Sequence, residues 1–326
     1  MNIFLTGGAG YIGSATAEAL IWDGHTVTVY DSLVTGHRLA VPKGAQFVEA
    51  ALEDHRALSR ALTTQQFDAV MHFAAFIEAG ESMKEPRRFY FNNLVNSLSL
   101  MEAAALAGVK RFVFSSTAAV YRSSDEPLTE ESPLGPTNVY GHTKLMVEQS
   151  LDWYRQIHGL HYAALRYFNA CGALPGRGEA HQPESHLIPL VLRVALGQSE
   201  SASIFGTDYP TPDGTCIRDY IHIEDLVSAH LLALTALGEA DRLIYNLGSG
   251  KGFSVREVID TSRKVTGHPI PVVESPRRAG DSPRLVASSS KISRELGWKP
   301  KHTELQDIIS SAWEWQKSHP KGYKSK

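Results

Sequence analysis

Tyr140 and Lys144 are the residues of this chain whose types and spacing most directly suggest proton chemistry. Four positions apart on a helix, they share a face and lie about 6 Å apart along its axis. A phenol alone titrates near 10 and is a poor base at neutral pH. A neighbouring ammonium favours the phenolate and brings proton abstraction within reach. The same spacing also suits an ordinary solvated helix face, so its meaning depends on what surrounds it. Thr117 ends the apolar run Arg111–Thr117, and the carboxyl ends of strands are where an open α/β sheet places its ligands. His72 also ends a strand-like run, but reads as a packed histidine rather than a base. Arg218 and the pair Arg277-Arg278 are candidate phosphate ligands, because a guanidinium fork matches a phosphate better than an ammonium does. A single arginine beside an acid such as Asp219 is more often a surface ion pair.

The elements that would position these residues follow from periodicity and punctuation. Asn2–Thr6 is a short apolar strand that runs into Gly7-Gly8-Ala9-Gly10-Tyr11-Ile12-Gly13, and a helical pattern follows from Tyr11 to Trp22. Strand, glycine turn, helix is the context a dinucleotide fingerprint needs: the glycines let backbone N–H groups approach a pyrophosphate at the helix N-terminus. The next strand, Thr26–Tyr30, delivers Asp31, whose carboxylate can accept from both adenosine ribose hydroxyls and would repel a 2′-phosphate, favouring NAD over NADP. Phe47–Glu49 and Ala69–Ala74 read as further buried parallel strands. Ser123–Thr137 is a polar loop with three prolines, and Asn138 can cap the helix carrying Tyr140 and Lys144. Tyr162–Phe168 is another strand. Asn169–Ser185 is a glycine- and proline-rich loop of a length that usually has a function, and a switch into a second lobe is expected there. Tyr220–His222 with a Glu224–Leu237 helix, and Ile244–Asn246, are expected to return to the first domain.

Composition narrows the function class. The chain has 326 residues, 43% hydrophobic and 21% charged, with a net charge of −3. That suits an α/β unit plus a second lobe and gives no broad field for nucleic acid or an anionic membrane. Cys171 and Cys216 have no metal-ligand spacing around them and are expected to be reduced, buried thiols of a cytoplasmic protein, with no metal site assigned. No basic n-region precedes the first strand and no apolar run reaches 18 residues, so neither a signal peptide nor a membrane span is expected.

The motifs together resemble the extended short-chain dehydrogenase/reductase superfamily, and within it the UDP-glucose 4-epimerases. The resemblance covers nearly the whole chain. Beyond the glycine motif it rests on Asp31-Ser32-Leu33-Val34-Thr35-Gly36-His37, His72-Phe73-Ala74-Ala75 with Gly80-Glu81-Ser82, and Leu165-Arg166-Tyr167-Phe168-Asn169. Phe205-Gly206-Thr207-Asp208-Tyr209, Asp213-Gly214-Thr215, Arg218-Asp219-Tyr220-Ile221-His222, Tyr245-Asn246-Leu247-Gly248 and Arg277-Arg278-Ala279-Gly280-Asp281 extend it. It implies a Rossmann-type doubly wound parallel sheet over residues 1–170, with returning segments at about 219–247. A smaller α/β lobe for the UDP-sugar is implied over 171–218 and 248–326.

By position, the resemblance makes Tyr140 the catalytic base, Lys144 the residue that lowers its pKa and holds the nicotinamide ribose, and Thr117 the bridging hydroxyl. Gly7, Gly10, Tyr11, Ile12, Gly13, Asp31, Leu52, Phe73, Ala74, Asn93, Ser115 and Tyr167 match contacts to a tightly bound NAD. Asn169, Leu187, Ser203, Phe205, Arg218, Arg278, Asp281 and Leu285 match the UDP-sugar site, the arginines falling on the diphosphate and Asp281 on the uridine ribose. A homodimer through helices such as Pro86–Gly108 and Asn138–His158 is also implied. Three positions depart from the family pattern: Ala51-Leu52 lacks the usual adenine-binding Asp, Ile77 followed by Glu78 replaces a lysine, and Leu285 replaces a tyrosine or cysteine. Ala118-Ala119 follows Thr117 where related dehydratases carry Asp-Glu, which favours inversion without elimination. Epimerisation of another UDP-sugar, a sugar dehydrogenase and a non-catalytic NAD-binding regulator are the rival readings.

Overall fold

The computed structural model describes residues 1–278 and 281–323. Seven parallel strands form the central sheet: β1 (Asn2–Thr6), β2 (Thr26–Asp31), β3 (Gln46–Glu49), β4 (Ala69–His72), β5 (Arg111–Thr117), β6 (His161–Tyr167) and a late strand, Arg242–Leu247. Their spatial order is Arg242–Leu247, β6, β5, β4, β1, β2, β3. The order reverses between β1 and β4, which opens a crevice at their carboxyl ends. This is the doubly wound sheet the sequence predicts.

Because helices cover both faces, its strands are apolar on both sides. Ile3 and Leu5 pack with Leu20, Val29 and Leu226 on one face, whereas Phe4 between them packs with Tyr30, Leu100 and Leu151 on the other. The Ile223–Ala236 helix lies against the Tyr11–Trp22 helix, and Arg242–Leu247 pairs with β6 from Arg242↔Tyr162 to Leu247↔Tyr167. The expected helix and the expected strand at Ile244–Asn246 therefore return here.

The second lobe has β7 (Asn169–Cys171), β8 (Ala202–Phe205) and β9 (Ile217–His222); with β10 for Arg242–Leu247, it continues through β11 (Gly252–Ser254), β12 (Val272–Ser275) and β13 (Arg284–Leu285). β9 is its organiser, pairing with β7, β11 and β13. Tyr220–His222 thus joins the small sheet and not the large one, a correction to the sequence reading. The reason lies in Asp219: its carboxylate accepts from the backbone N–H groups of Ser249, Gly250 and Ala287, and from the Ser249 hydroxyl. Four donors from two later segments anchor β9 in the lobe. The lobe has its own core, including Ile188, Val191, Leu192, Ile204, Val258, Ile259 and Ile308.

Candidate active site

The helix Val139–His158 carries the reactive pair. Asn138 caps it through a side-chain bond from Gly141 N–H, 2.8 Å, as expected. A second cap was not legible: Ser82 Oγ accepts from Tyr140 N–H at 3.1 Å. The spacing of Ser82 from Tyr140 gives no periodic signal for it. Lys144 is 2% exposed and its Nζ donates to the Ser115 carbonyl at 2.8 Å. Glu148 extends the row Tyr140, Lys144, Glu148 at four-residue spacing. It is buried and paired bidentately with Arg166, at 2.9 and 3.2 Å from Nε, while Ser116 also donates to it. Arg166 further donates to Tyr121 Oη, which donates to Asn246. The i, i+4, i+8 pattern was the available signal for this buried brace.

Burial dominates the protonation states. It pushes the Tyr140 phenol up to about 12, opposed by a hydrogen bond with Thr117 and assisted by the Glu78 carboxylate. It drives Lys144 down to about 7, opposed by Glu148. The sequence expectation that Lys144 depresses the phenol is not visible in the protein by itself: desolvation governs both groups, with Thr117 and Glu78 acting on the phenol and Glu148 on the ammonium. Glu78 also emerges as a charge that acts on Tyr140. His72 is structural, as predicted: it bridges Thr6 and Ser97 and burial lowers it to about 3.

Around the crevice, the glycine turn fits a dinucleotide. A Cβ on Gly7 would lie 2.5 Å from Ala74 N, and one on Gly13 2.2 Å from Gly7 O. The Tyr11–Trp22 helix has no side-chain cap at Gly10 and no acid in its first turn, leaving its N–H groups for an anion. Asp31, at the end of β2, accepts from Ala9 N–H (2.9 Å) and Leu33 N–H (2.8 Å), and burial raises its pKa. A Cβ on Gly36 would stand 2.9 Å from Asp31 Oδ1, so that glycine keeps the carboxylate open. Phe73 and Tyr167 both pack on His230, and Tyr167 shares a hydrogen bond with Ser115. Asn93, in a π-helical turn at Tyr90–Val95, exchanges two bonds with the backbone of Phe76 and so braces the wall that carries Phe73 and Ala74. Ile12 sits half-buried at the helix start. These groups fit NAD.

At two cofactor positions the side chain is engaged elsewhere. The Tyr11 hydroxyl donates to Gly172 O at 2.8 Å, toward the second lobe, so only its backbone faces the turn. Leu52 packs into the core with Tyr30, whose hydroxyl takes the Ala51 carbonyl. Neither Ala51 nor Leu52 offers a free side-chain polar group at the adenine end.

Opposite lies a cavity lined by Asn169, Leu187, Ser203, Phe205, Arg218, Arg278 and Asp281, so seven of the predicted substrate residues converge. Arg278 Nε donates to Asp281 at 3.1 Å and its guanidinium lies 4.7 Å from the Phe205 ring centre. Arg218 donates to the Ser282 carbonyl at 2.7 Å and stands 3.8 Å from Asp281. Arg277 turns away to Asp208 and Tyr209. Ala279 and Gly280 of that motif lie outside the described residues. Leu285 is paired in register with Arg218 and packs toward the cluster of Ala118, Tyr121 and Phe168, next to Thr117. Leu285 and Thr117 are not among the described residues that line the cavity. Cys171 and Cys216 are buried free thiols.

Comparison with known proteins places these features. A model of the NAD dependent epimerase/dehydratase family matches residues 3–248. A UDP-glucose 4-epimerase of Halalkalibacterium halodurans is 50% identical, over 99% of this chain and 98% of its own. One from Streptomyces lividans is 49% identical, over 98% and 97%. The crystal structure of UDP-glucose 4-epimerase from Bifidobacterium longum with NAD+ and UDP superposes with a TM-score of 0.95, at 36% identity over 99% of this chain and all of that one.

Proposed function

We propose a division of labour among residues from one premise: the chain belongs to the NAD dependent epimerase/dehydratase family. It is an NAD-dependent enzyme that inverts C4 of a UDP-hexose, interconverting UDP-glucose and UDP-galactose. NAD, when bound, supplies a hydride acceptor for C4 and a positive ring charge that favours the Tyr140 phenolate.

Tyr140 takes the proton of the sugar 4-hydroxyl, directly or through Thr117, and later returns it. Lys144, held by Ser115 O, lies behind the phenol to orient the nicotinamide ribose and favour the anion. Gly7, Gly10, Gly13 and the helix N-terminus receive the cofactor diphosphate, and Asp31 its adenosine ribose. Arg218 and Arg278 grip the UDP diphosphate, with Asp281 on the uridine ribose and Asn169, Leu187, Ser203 and Phe205 lining its cavity. With the diphosphate held and the hexose loose, the 4-keto sugar turns its other face before the proton goes back. Ala118-Ala119 offers no acid or base for elimination. Residues 1–170 with the returning helix Ile223–Ala236 and strand Arg242–Leu247 serve NAD, and the remainder, β9 included, serves UDP. NAD is retained through the cycle.

The observation that carries this reading is a convergence at the carboxyl end of β5: Thr117 ends the strand, and buried Lys144, held by the Ser115 carbonyl, lies 6.0 Å from the centre of the Tyr140 ring. The test is conversion of UDP-galactose to UDP-glucose with no net change in NADH absorbance. Stoichiometric NADH with an oxidised sugar would overturn it.

The enzyme works as a homodimer. Phe91 and Val95 on one segment and Trp153 and Ile157 on the Val139–His158 helix are exposed apolar side chains, and these segments are packed neighbours. Light scattering on the purified protein checks it: a monomer refutes the assignment. The cytoplasm is the proposed compartment, in keeping with two free thiols.

A further inference from the structure

The loop between β7 and the Leu187–Ala195 helix carries a cluster to which the reaction gives no role. Glu179, His181, Glu184 and His186 each turn one ligand-type atom inward, and these atoms lie within 4.8 Å of one another. Glu179 Oε1 stands 2.6 Å from His186 Nδ1 and 3.0 Å from His181 Nδ1. Glu184 Oε1 accepts from the backbone N–H of Ser185 and His186, at 2.8 and 2.9 Å, which fixes the carboxylate. Its other oxygen, Oε2, is buried, has no hydrogen-bond partner and points to His181 Nδ1 at 4.0 Å. The Glu184 side chain is fully shielded from solvent and that of Glu179 nearly so.

Buried carboxylates need compensating charge. Among the described residues, no lysine or arginine pairs with Glu179 or Glu184; Arg177 nearby is committed to Glu18. The partners of these two carboxylates are His181 and His186, which balance them when protonated; one divalent cation in place of those two protons leaves the same net charge and takes up the orphaned Glu184 oxygen. Two imidazole nitrogens and two carboxylate oxygens, with no thiolate, form a four-ligand set suited to zinc rather than to calcium or magnesium, which prefer all-oxygen sites. A second cluster, His222, Glu224 and His302, makes the contrast. There Glu224 already pairs with Lys301 at 2.9 Å, and both His222 nitrogens are hydrogen-bonded, to Glu224 N–H and Ser311. It has no orphaned ligand atom.

We propose that Glu179, His181, Glu184 and His186 bind one zinc-class divalent ion. With all four positions supplied by protein, the ion is structural. It clamps the loop at a junction. On one side, the His181 ring meets the edge of Tyr11, beside the glycine turn. On the other, Glu179 and His186 themselves line the UDP cavity, together with Leu187 and Ile188 of the following helix.

The test uses full-length protein stripped with a chelator, then reloaded with ZnCl2 or titrated with CoCl2. The expected result is one zinc per chain by mass spectrometry, visible absorption bands of tetrahedral cobalt, and a Tm raised by about 5 °C at saturating zinc. His181→Ala and Glu184→Gln, checked for folding by circular dichroism, should each lose the cobalt bands and the Tm gain. Unmodified protein that takes up no metal, or variants that keep the cobalt bands, would overturn the proposal. The titration of unmodified protein decides the matter even if a variant fails to fold.

Discussion

The two sides of the cleft are prepared for their ligands in opposite ways. On the NAD side, the key groups are tied to main chain: Asp31 to Ala9 and Leu33, Lys144 to Ser115, Asn93 to Phe76. On the UDP side, Arg218 is held by the Ser282 carbonyl, but Arg278 is tied to Asp281 by an ion pair and stands in solvent. The Arg278 side chain is 56% exposed, against 2% for Lys144. A backbone-anchored buried group has one geometry and keeps it. Half-exposed ion pairs are weak and exchange partners at small cost. The first arrangement suits a cofactor kept through the cycle, and the second a nucleotide sugar that must arrive and leave.

The largest test of this contrast is Tyr140→Phe. It should lower kcat at least about a hundredfold while UDP affinity, read by calorimetry, is unchanged. Near-normal turnover would remove Tyr140 from its role. Arg278→Ala should do the reverse. UDP binding should weaken about tenfold to a hundredfold, the range for a lost charge-assisted hydrogen bond of about 1.5–3 kcal/mol, with bound NAD per chain unaffected. If NAD content fell as much as UDP affinity, the two sides would not be independent.

Acid should act on the NAD side, although not on it alone, since burial also lowers His222 of the small lobe to about 4. Burial holds His72 at about 3 and His230 at about 4, both packed in the NAD half. As pH falls below about 6.5, the unfolded chain takes up protons that these folded imidazoles refuse. The stability they contribute is complete above 6.5 and is lost toward 4, by up to about 1.4 kcal/mol per pH unit for each. Tm should fall from pH 6.5 to 5, and His230→Gln should flatten that slope; an unchanged slope would refute the assignment. The smallest effect concerns Leu285, which offers an N-acetyl group no hydrogen bond. The enzyme should favour UDP-glucose and UDP-galactose about tenfold or more in kcat/KM over their N-acetyl forms, about 1.4 kcal/mol. Leu285→Ala should narrow the gap several-fold, and no change would place the wall elsewhere.

The NAD half was legible because its signals are local. A glycine turn between strand and helix, Asp31 at a strand tip and a four-residue spacing on one helix each lie within a short window. The convergence of Arg218, Arg278 and Asp281 was reached through resemblance, since residues on β9 and beyond β12 meet only in three dimensions. What was missed is non-local. Asp219 reads as a surface ion-pair partner of Arg218, yet it is buried among four donors from segments further along the chain. The hydroxyl of Tyr11 reaches Gly172, a link between the glycine turn and the second lobe that the motif does not encode. The direction of the Tyr140 shift depends on burial, which spacing does not encode.

The large sheet has one further property, which concerns the making of the protein. Its outermost strand next to β6 is Arg242–Leu247, and the small lobe's first strands are encoded between them. While a ribosome emits that intervening stretch, on the order of seconds, β6 has an unfilled edge of N–H and C=O groups beside an apolar face. Such an edge is a template for pairing with another chain. The nascent N-terminal portion is therefore a natural client for chaperones. A gene fragment ending soon after β6 should yield aggregates where the full-length chain yields soluble protein.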